Sequence, residues 1–190
     1  MYSSEDRRGA ISWRSGARRK SNDVADLPEF QPEDVIRLLG RHRVKYVLIG
    51  GLAAVTHGSS IVTVDVDICH ARDADNLEAL ATALREVHAE LRSAPSGIPF
   101  RLDARTLRAG DSFTFVTDVG AVDILGTPSG TGGYDDLIRT APTFDLFGHR
   151  VAVASVDDLI RMKRAAGRPK DLLAAEELGA LRDEIDATPL

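Results

Sequence analysis

The sequence predicts an α+β fold, a small mixed sheet flanked by helices and closed by further helices at the C-terminal end. Three observations predict it. Short apolar, β-branched runs alternate with stretches of helical periodicity. The chain has 190 residues, 43% hydrophobic and 28% charged, which suits one ordinary core. It shows neither an internal repeat nor a second core, so residues 29–190 are expected to form one domain.

The elements follow in order. Residues 31–42 read as a helix with Pro32 in its first turn. "KYVLIG" (45–50) reads as a buried strand ending in glycine, and "GLAAVTHG" (51–58) as a short helix bounded by glycines. "IVTVDVDI" (61–68) is the second strand, with Val62, Val64, Val66 and Ile68 expected on its apolar face. Leu77, Leu80, Leu84 and Leu91 set a helix over 71–91, and Pro, Gly and Ser make 93–99 a loop. "SFTFVTD" (112–118) and "GAVDIL" (120–125) are two strands joined by a turn, and 126–136 is a glycine-rich loop. A hairpin is expected over 144–155. A helix over 155–167 starts at the capping pair Ser155 and Asp158 and stops at Gly167. A last helix restarts after Pro169 and runs to 181.

Composition removes several classes. No apolar run reaches the roughly 20 residues that cross a bilayer. The first residues lack the apolar centre of a signal peptide. Cys69 is the only cysteine, which excludes an internal disulfide and a cysteine-rich zinc site. The expectation is a soluble, cytoplasmic protein with no membrane partner. Net charge is −5, yet residues 1–20 carry six basic side chains against Glu5 and Asp6, beside the only tryptophan, Trp13. Residues 1–28 therefore read as a basic, flexible arm, either a plain tail or a segment that touches a phosphate backbone.

The acids carry the chemistry. Side chains two apart on a strand share a face, so Asp65 and Asp67 lie together with Thr63. At about 5 Å and an effective dielectric near 20, two like charges repel by roughly 3 kcal/mol. An exposed edge strand would screen that repulsion with water. In a cleft, a divalent cation holds both ionised, and hard oxygen ligands suit Mg²⁺. Asp123 sits inside another apolar strand, where a lone carboxylate is costly. Backbone amides could cap it. Beside residues 61–68 it would instead complete a set of three acids able to hold one or two cations for a triphosphate. Gly50 and Gly51 allow close backbone approach to a phosphate at a helix start, although any tight strand–helix turn could use such a pair. They do not form a Walker loop.

Together, "YVLIGGLAAVTHGSSIVTVDVDI" and "GAVDIL" resemble the nucleotidyltransferase superfamily related to DNA polymerase β. That family has a hydrophobic strand ending in a glycine pair, a short helix, a D-x-D strand and a third acidic strand. The stretch from "GTGGYDDLIR" through "RMKRAAGRPKDLL" looks like the minimal AbiEii-like and MenT-like transferases, many of them toxins of bacterial toxin–antitoxin pairs. The resemblance covers residues 45–178. It implies a polymerase β-like fold and Mg²⁺ held by Asp65 and Asp67, with Asp123 as third ligand or base. Lys163 would meet the triphosphate of the NTP, with Gly50, Gly51 and Arg168 lining it. Arg168, Lys170 and Asp171 would either touch substrate or hold the helix pair together.

The implied reaction transfers a nucleotide, CTP or UTP being favoured, to the 3′ end of tRNA, which blocks aminoacylation. The implied partners are tRNA and a cognate antitoxin protein. A small-molecule acceptor of aminoglycoside type and a hydroxyl of a partner protein are the alternatives. A D-x-D glycosyltransferase leaves the "IGG" turn unexplained, and decay to a binding module would not retain three acids and Lys163.

One departure stands out. Many relatives carry arginine where this chain has Ile61, so a phosphate contact is either missing or supplied by Arg101, Arg105 or Arg150. Thr63 is a candidate regulatory phosphorylation site, since a phosphate there would set up to two negative charges beside the acids. Read alone, it is an ordinary β-forming residue. His57 and His70 are expected to be satisfied structural histidines, and Cys69 to be packed.

Overall fold

The computed structural model describes residues 30–92 and 100–187. The expected N-terminal arm (1–28) and the expected loop at 93–99 lie outside the described residues. Helix α1 (Pro32–Arg41) places proline in its first turn and buries Val35, Ile36, Leu38 and Leu39. Strand β1 (Tyr46–Ile49) leads straight into α2 (Gly50–Thr56). After β2 (Asp65–His70), α3 (Ala74–Glu86) begins at Asp73, whose carboxylate accepts from the Asn76 amide. The buried Asn76 side chain accepts from Lys45 N–H and donates to the carbonyls of Lys45 and Ala71. That closes the backbone groups left open where β1 and β2 meet the helices.

Next come β3 (Glu90–Leu91), α4 (Ala104–Ala109), β4 (Ser112–Thr117), β5 (Gly120–Leu125) and α5 (Tyr134–Leu137). A separate hairpin pairs β6 (Thr143–Leu146) with β7 (His149–Ala152). Helix α6 (Val156–Ala166) starts at Ser155, which accepts from Asp158 N–H, and ends at Gly167 in the left-handed region. Both ends agree with the sequence reading. Helix α7 (Pro169–Ala187) runs six residues past the expected end at 181.

The main sheet has the order β1-β2-β5-β4-β3. Only β2 and β5 are parallel; the other neighbours run antiparallel. The sheet is therefore mixed, as expected. The buried apolar side chains of strands and helices form one cluster, with Phe115, Leu48, Ile68, Leu77, Leu80 and Ile124 at its centre.

Three expectations need correction. Strand β2 starts at Asp65 rather than at 61. β1 ends at Ile49 opposite Asp67, and the pairing of β2 with β5 begins at Asp65 opposite Ala121, so residues 61–64 pair with neither strand. Val62 and Val64 consequently lie 90% and 54% exposed instead of filling an apolar face. The helix expected over 71–91 breaks at His88, which has a positive φ of 49°, and Glu90–Leu91 turn back to pair with β4. Helix α4 was not anticipated, although Asp103 caps it at Thr106 with a spacing visible in the sequence.

Candidate active site

One row of the sheet organises the site. Ile49 pairs with Asp67, Asp67 with Asp123, and Asp123 with Thr114. Arg92 extends the row by donating its backbone N–H to the Thr114 carbonyl at 2.9 Å. Neighbouring strands lie about 4.8 Å apart, so this register sets Asp67 and Asp123 side by side on one face. Asp65 joins them from two residues earlier on β2.

These carboxylates are under electrostatic load. The Asp67 carboxyl is pushed up to about 7, first by burial, then by the charges of Asp65 and Asp123. Lys163 and the Gly51 N–H pull the other way. Asp123 is also raised, chiefly by burial and against the pull of Arg92. Thr114 hydrogen-bonds its carboxyl, yet its Oδ1 is buried with no hydrogen bond. The nearest cation, Arg92, stands 3.7 Å from that oxygen. Backbone amides thus do not cap Asp123.

The glycines have a structural cause. Gly50 has φ +68°, and a Cβ there would lie 2.0 Å from Asp67 Oδ2. A Cβ on Gly51 would meet Thr63 Oγ1 at 2.6 Å. In this structure the backbone approach is made to the D-x-D strand, and Gly51 N–H already serves Asp67. Thr63 donates to the Asp65 backbone and carboxylate oxygens at 3.3 and 3.2 Å, which ties it to the acids as its spacing implied.

A cleft of about 180 Å³ opens beside the row. Gly50, Asp67, Lys163, Arg168 and Asp171 line it, with Leu159 and Met162 as apolar floor and Ser129 from the glycine-rich loop. Sequence reasoning did not name Ser129 or Met162. Their only signal was membership of the loop after β5 and of the helix carrying Lys163. Asp171 is 1% exposed; Lys163 reaches its Oδ1 at 3.3 Å, and Arg168 binds both its oxygens. Arg168 holds the Asp171 carboxyl well below its ordinary value, with help from Lys163. Of the two roles considered for "GRPKD", holding the helix pair is visible, since Asp171 on α7 binds Lys163 on α6 and Arg168 between them, while Arg168 and Asp171 also line the cleft. Lys170 is exposed and does not line it.

Other candidates fall away from the cleft. Arg101 and Arg105 line a different hollow with Arg85 and Phe100. Phe100 packs on Phe113 and Phe115, which point away from the face of Thr114, so neither arginine supplies the phosphate contact considered for it beside the acids. Arg150 is exposed on β7 and does not reach the cleft. His57 pairs with the Ala154 carbonyl at 2.8 Å and stands edge-on to Phe144. It is a satisfied structural histidine. His70 is buried, with Nδ1 3.1 Å from the Ala71 carbonyl but Nε2 unpartnered, so the expected satisfaction is only half met. Burial pushes the Cys69 thiol up to about 12, which leaves it packed and unreactive.

Among the described residues, no three His, Cys, Asp or Glu side chains already form a metal cage. The donor set nevertheless suits a hard dication. Asp123 Oδ1 lacks a hydrogen-bond partner, and Asp67 is raised by burial and then by the charge of its two neighbours. An oxygen-ligated cation on Asp65 and Asp67, beside Asp123, would relieve both.

Among the described residues no helix is long and apolar enough to cross a membrane. Scanned against protein-family models the chain matches none, and no curated protein matches it. Solved structures do. The chain is similar to the lincosamide antibiotic adenylyltransferase LnuA in its lincomycin-bound form, at 14% identity and TM-score 0.54, over 81% of this chain and 99% of that one. It is similar to a putative nucleotidyltransferase from Thermotoga maritima, at 15% identity and TM-score 0.47, over 85% and 98%. It is also similar to the antibiotic-resistance factor ANT(2'')-Ia, at 10% identity and TM-score 0.45, over 82% and 89%. With the likeness to LnuA, the mixed sheet and its flanking helices define the nucleotidyltransferase fold.

Proposed function

We propose that this chain is an Mg²⁺-dependent nucleotidyltransferase that moves a nucleotide, from CTP or UTP, to the 3′ end of tRNA. The observation that carries the chemistry is the pairing of Asp67 with Asp123 beside a cleft that also holds Lys163 and Arg168. Lys163 and Arg168, kept in place by Asp171, bind the β- and γ-phosphates. Asp123 takes the proton of the acceptor hydroxyl. The new bond joins the acceptor oxygen to the α-phosphorus; the bond to the bridging oxygen breaks, and pyrophosphate leaves. Mg²⁺, held by Asp65 and Asp67 with Asp123, would supply neutralisation of phosphate charge and orientation of the triphosphate.

The acceptor rests on the motif resemblance, as does a role as a toxin restrained by a cognate antitoxin. A small-molecule hydroxyl is the second reading, favoured by the likeness to LnuA over nearly its whole length. One assay separates them: each labelled NTP, Mg²⁺, total RNA, lincomycin or kanamycin, with Asp65→Ala as control. Label in tRNA that the variant loses is the expected result. Asp65-dependent label on the antibiotic or on protein, with none on RNA, replaces it by the alternative.

Thr63 belongs to the same reading as its regulatory site. Its hydroxyl lies on Asp65, so a phosphate there brings up to two negative charges against the acids. Mass spectrometry of protein inactivated by coexpression with the neighbouring gene should find Thr63 modified. Inactive but unmodified protein refutes it.

A further inference from the structure

The row through Asp67 and Asp123 ends in a residue that no motif assigns. Arg92 follows β3 at the far edge of the sheet from β1. Its guanidinium stands on the face of the acids, 3.7 Å from Asp123 Oδ1, with its side chain 35% exposed. At 3.7 Å this is a loose ion pair, longer than a hydrogen bond, made by a planar group that carries five donors. The other cations, Lys163 and Arg168, line the cleft with Gly50 and Asp67, and neither Asp123 nor Arg92 is among its lining residues. Positive charge therefore meets the carboxylates from two separate places, one in the cleft and one outside it.

In-line transfer assigns different partners to those places. The leaving pyrophosphate and the incoming hydroxyl lie on opposite faces of the transferred phosphorus. If the triphosphate runs toward Gly50, Lys163 and Arg168, the acceptor enters from Asp123, Thr114 and Arg92. We propose that Arg92 forms an acceptor-side subsite that binds a phosphodiester next to the reacting end of a nucleic acid. The inference rests on the nucleotidyltransferase reading and deepens it. A guanidinium matches a phosphate bidentately and repels a polycation, so this position selects an anionic acceptor over an aminoglycoside.

The test uses full-length protein, a tRNA acceptor and the NTP that the wild type uses. Arg92→Gln should raise the KM for tRNA about tenfold, the loss of one charge-assisted contact. The KM for NTP should not change. The slope of log kcat/KM against log salt should fall by about 0.7, the share of one phosphate on a single strand. Arg92→Lys should keep most of that slope, which a merely structural role would not predict. A tRNA whose terminal phosphodiester is a neutral methylphosphonate should be a poorer acceptor for the wild type. It should lose nothing further with Arg92→Gln.

An unchanged tRNA KM with lower kcat would make Arg92 a support for Asp123 and overturn the subsite. A raised KM for NTP would place Arg92 on the triphosphate and overturn it too. So would a wild type that prefers kanamycin to tRNA. Absence of any Asp65-dependent transfer by the wild type is a separate outcome, since it removes the nucleotidyltransferase reading itself.

Discussion

Asp67→Asn will abolish nucleotidyl transfer, by roughly a thousandfold or more, and at pH 8 in EDTA it will also make the protein more stable. The second effect follows from the proton. The Asp67 carboxyl rises from 3.8 to about 7 in the fold, so the folded chain binds that proton more tightly than the unfolded chain. Its contribution to stability is complete below pH 4 and is lost as pH rises through 7. A displacement of about three pKa units corresponds to about 4 kcal/mol. Relaxation of the site reduces this to an expected 2–4 kcal/mol, or roughly 5–10 °C in melting temperature. Asparagine is neutral at every pH and escapes the penalty. The gain should therefore be present at pH 8 and absent at pH 4. Added Mg²⁺ should raise the melting temperature of the wild type at pH 8 and leave the variant almost unmoved. Thermal melts at the two pH values, with and without Mg²⁺, check this. A variant that melts below the wild type at pH 8 in EDTA would mean that burial and the neighbouring acids do not penalise the ionised Asp67.

The parts of this site that were legible in the sequence are those fixed by local periodicity. Asp65 and Asp67 share a face because a strand alternates, and Asp123 betrayed itself as an acid within an apolar run. Ser155 and Gly167 bounded α6 because caps are local chemistry. Other parts depended on register between distant strands. Nothing in residues 61–64 reveals that neither β1 nor β5 pairs with them, so Val62 read as core and is 90% exposed. Arg92 fell between the helix expected over 71–91 and the loop expected over 93–99 and drew no reading, because the left-handed turn at His88 and the pairing of Leu91 with Phe115 are not local properties. Asp171 was visible only as part of a pattern. Its role as shared counter-ion of Lys163 and Arg168 appears once α6 and α7 pack.

Gly50→Ala will cost far more than Gly51→Ala, although both add one methyl to the same turn. At Gly50 the backbone is left-handed, with φ +68°, which alone costs a non-glycine residue about 1–2 kcal/mol. The new Cβ would also stand 2.0 Å from Asp67 Oδ2. Asp67 has little room to retreat, being paired with Ile49 on one side and Asp123 on the other. The carboxylate must leave its place in the row. The expected result is a loss of 1–3 kcal/mol in urea unfolding and at least about a hundredfold in transfer rate. At Gly51 φ is not positive, and the obstacle is the Thr63 side chain at 2.6 and 2.8 Å. Thr63 belongs to residues 61–64, which no strand holds, so that segment can shift aside to make room for the methyl group. Gly51→Ala should cost less than about 1 kcal/mol and less than about tenfold in rate. Equal losses in the two variants would show that the turn binds phosphate directly through both glycines. The expected inequality instead ties Gly50 to the position of Asp67, making the strand–helix turn a support for that carboxylate.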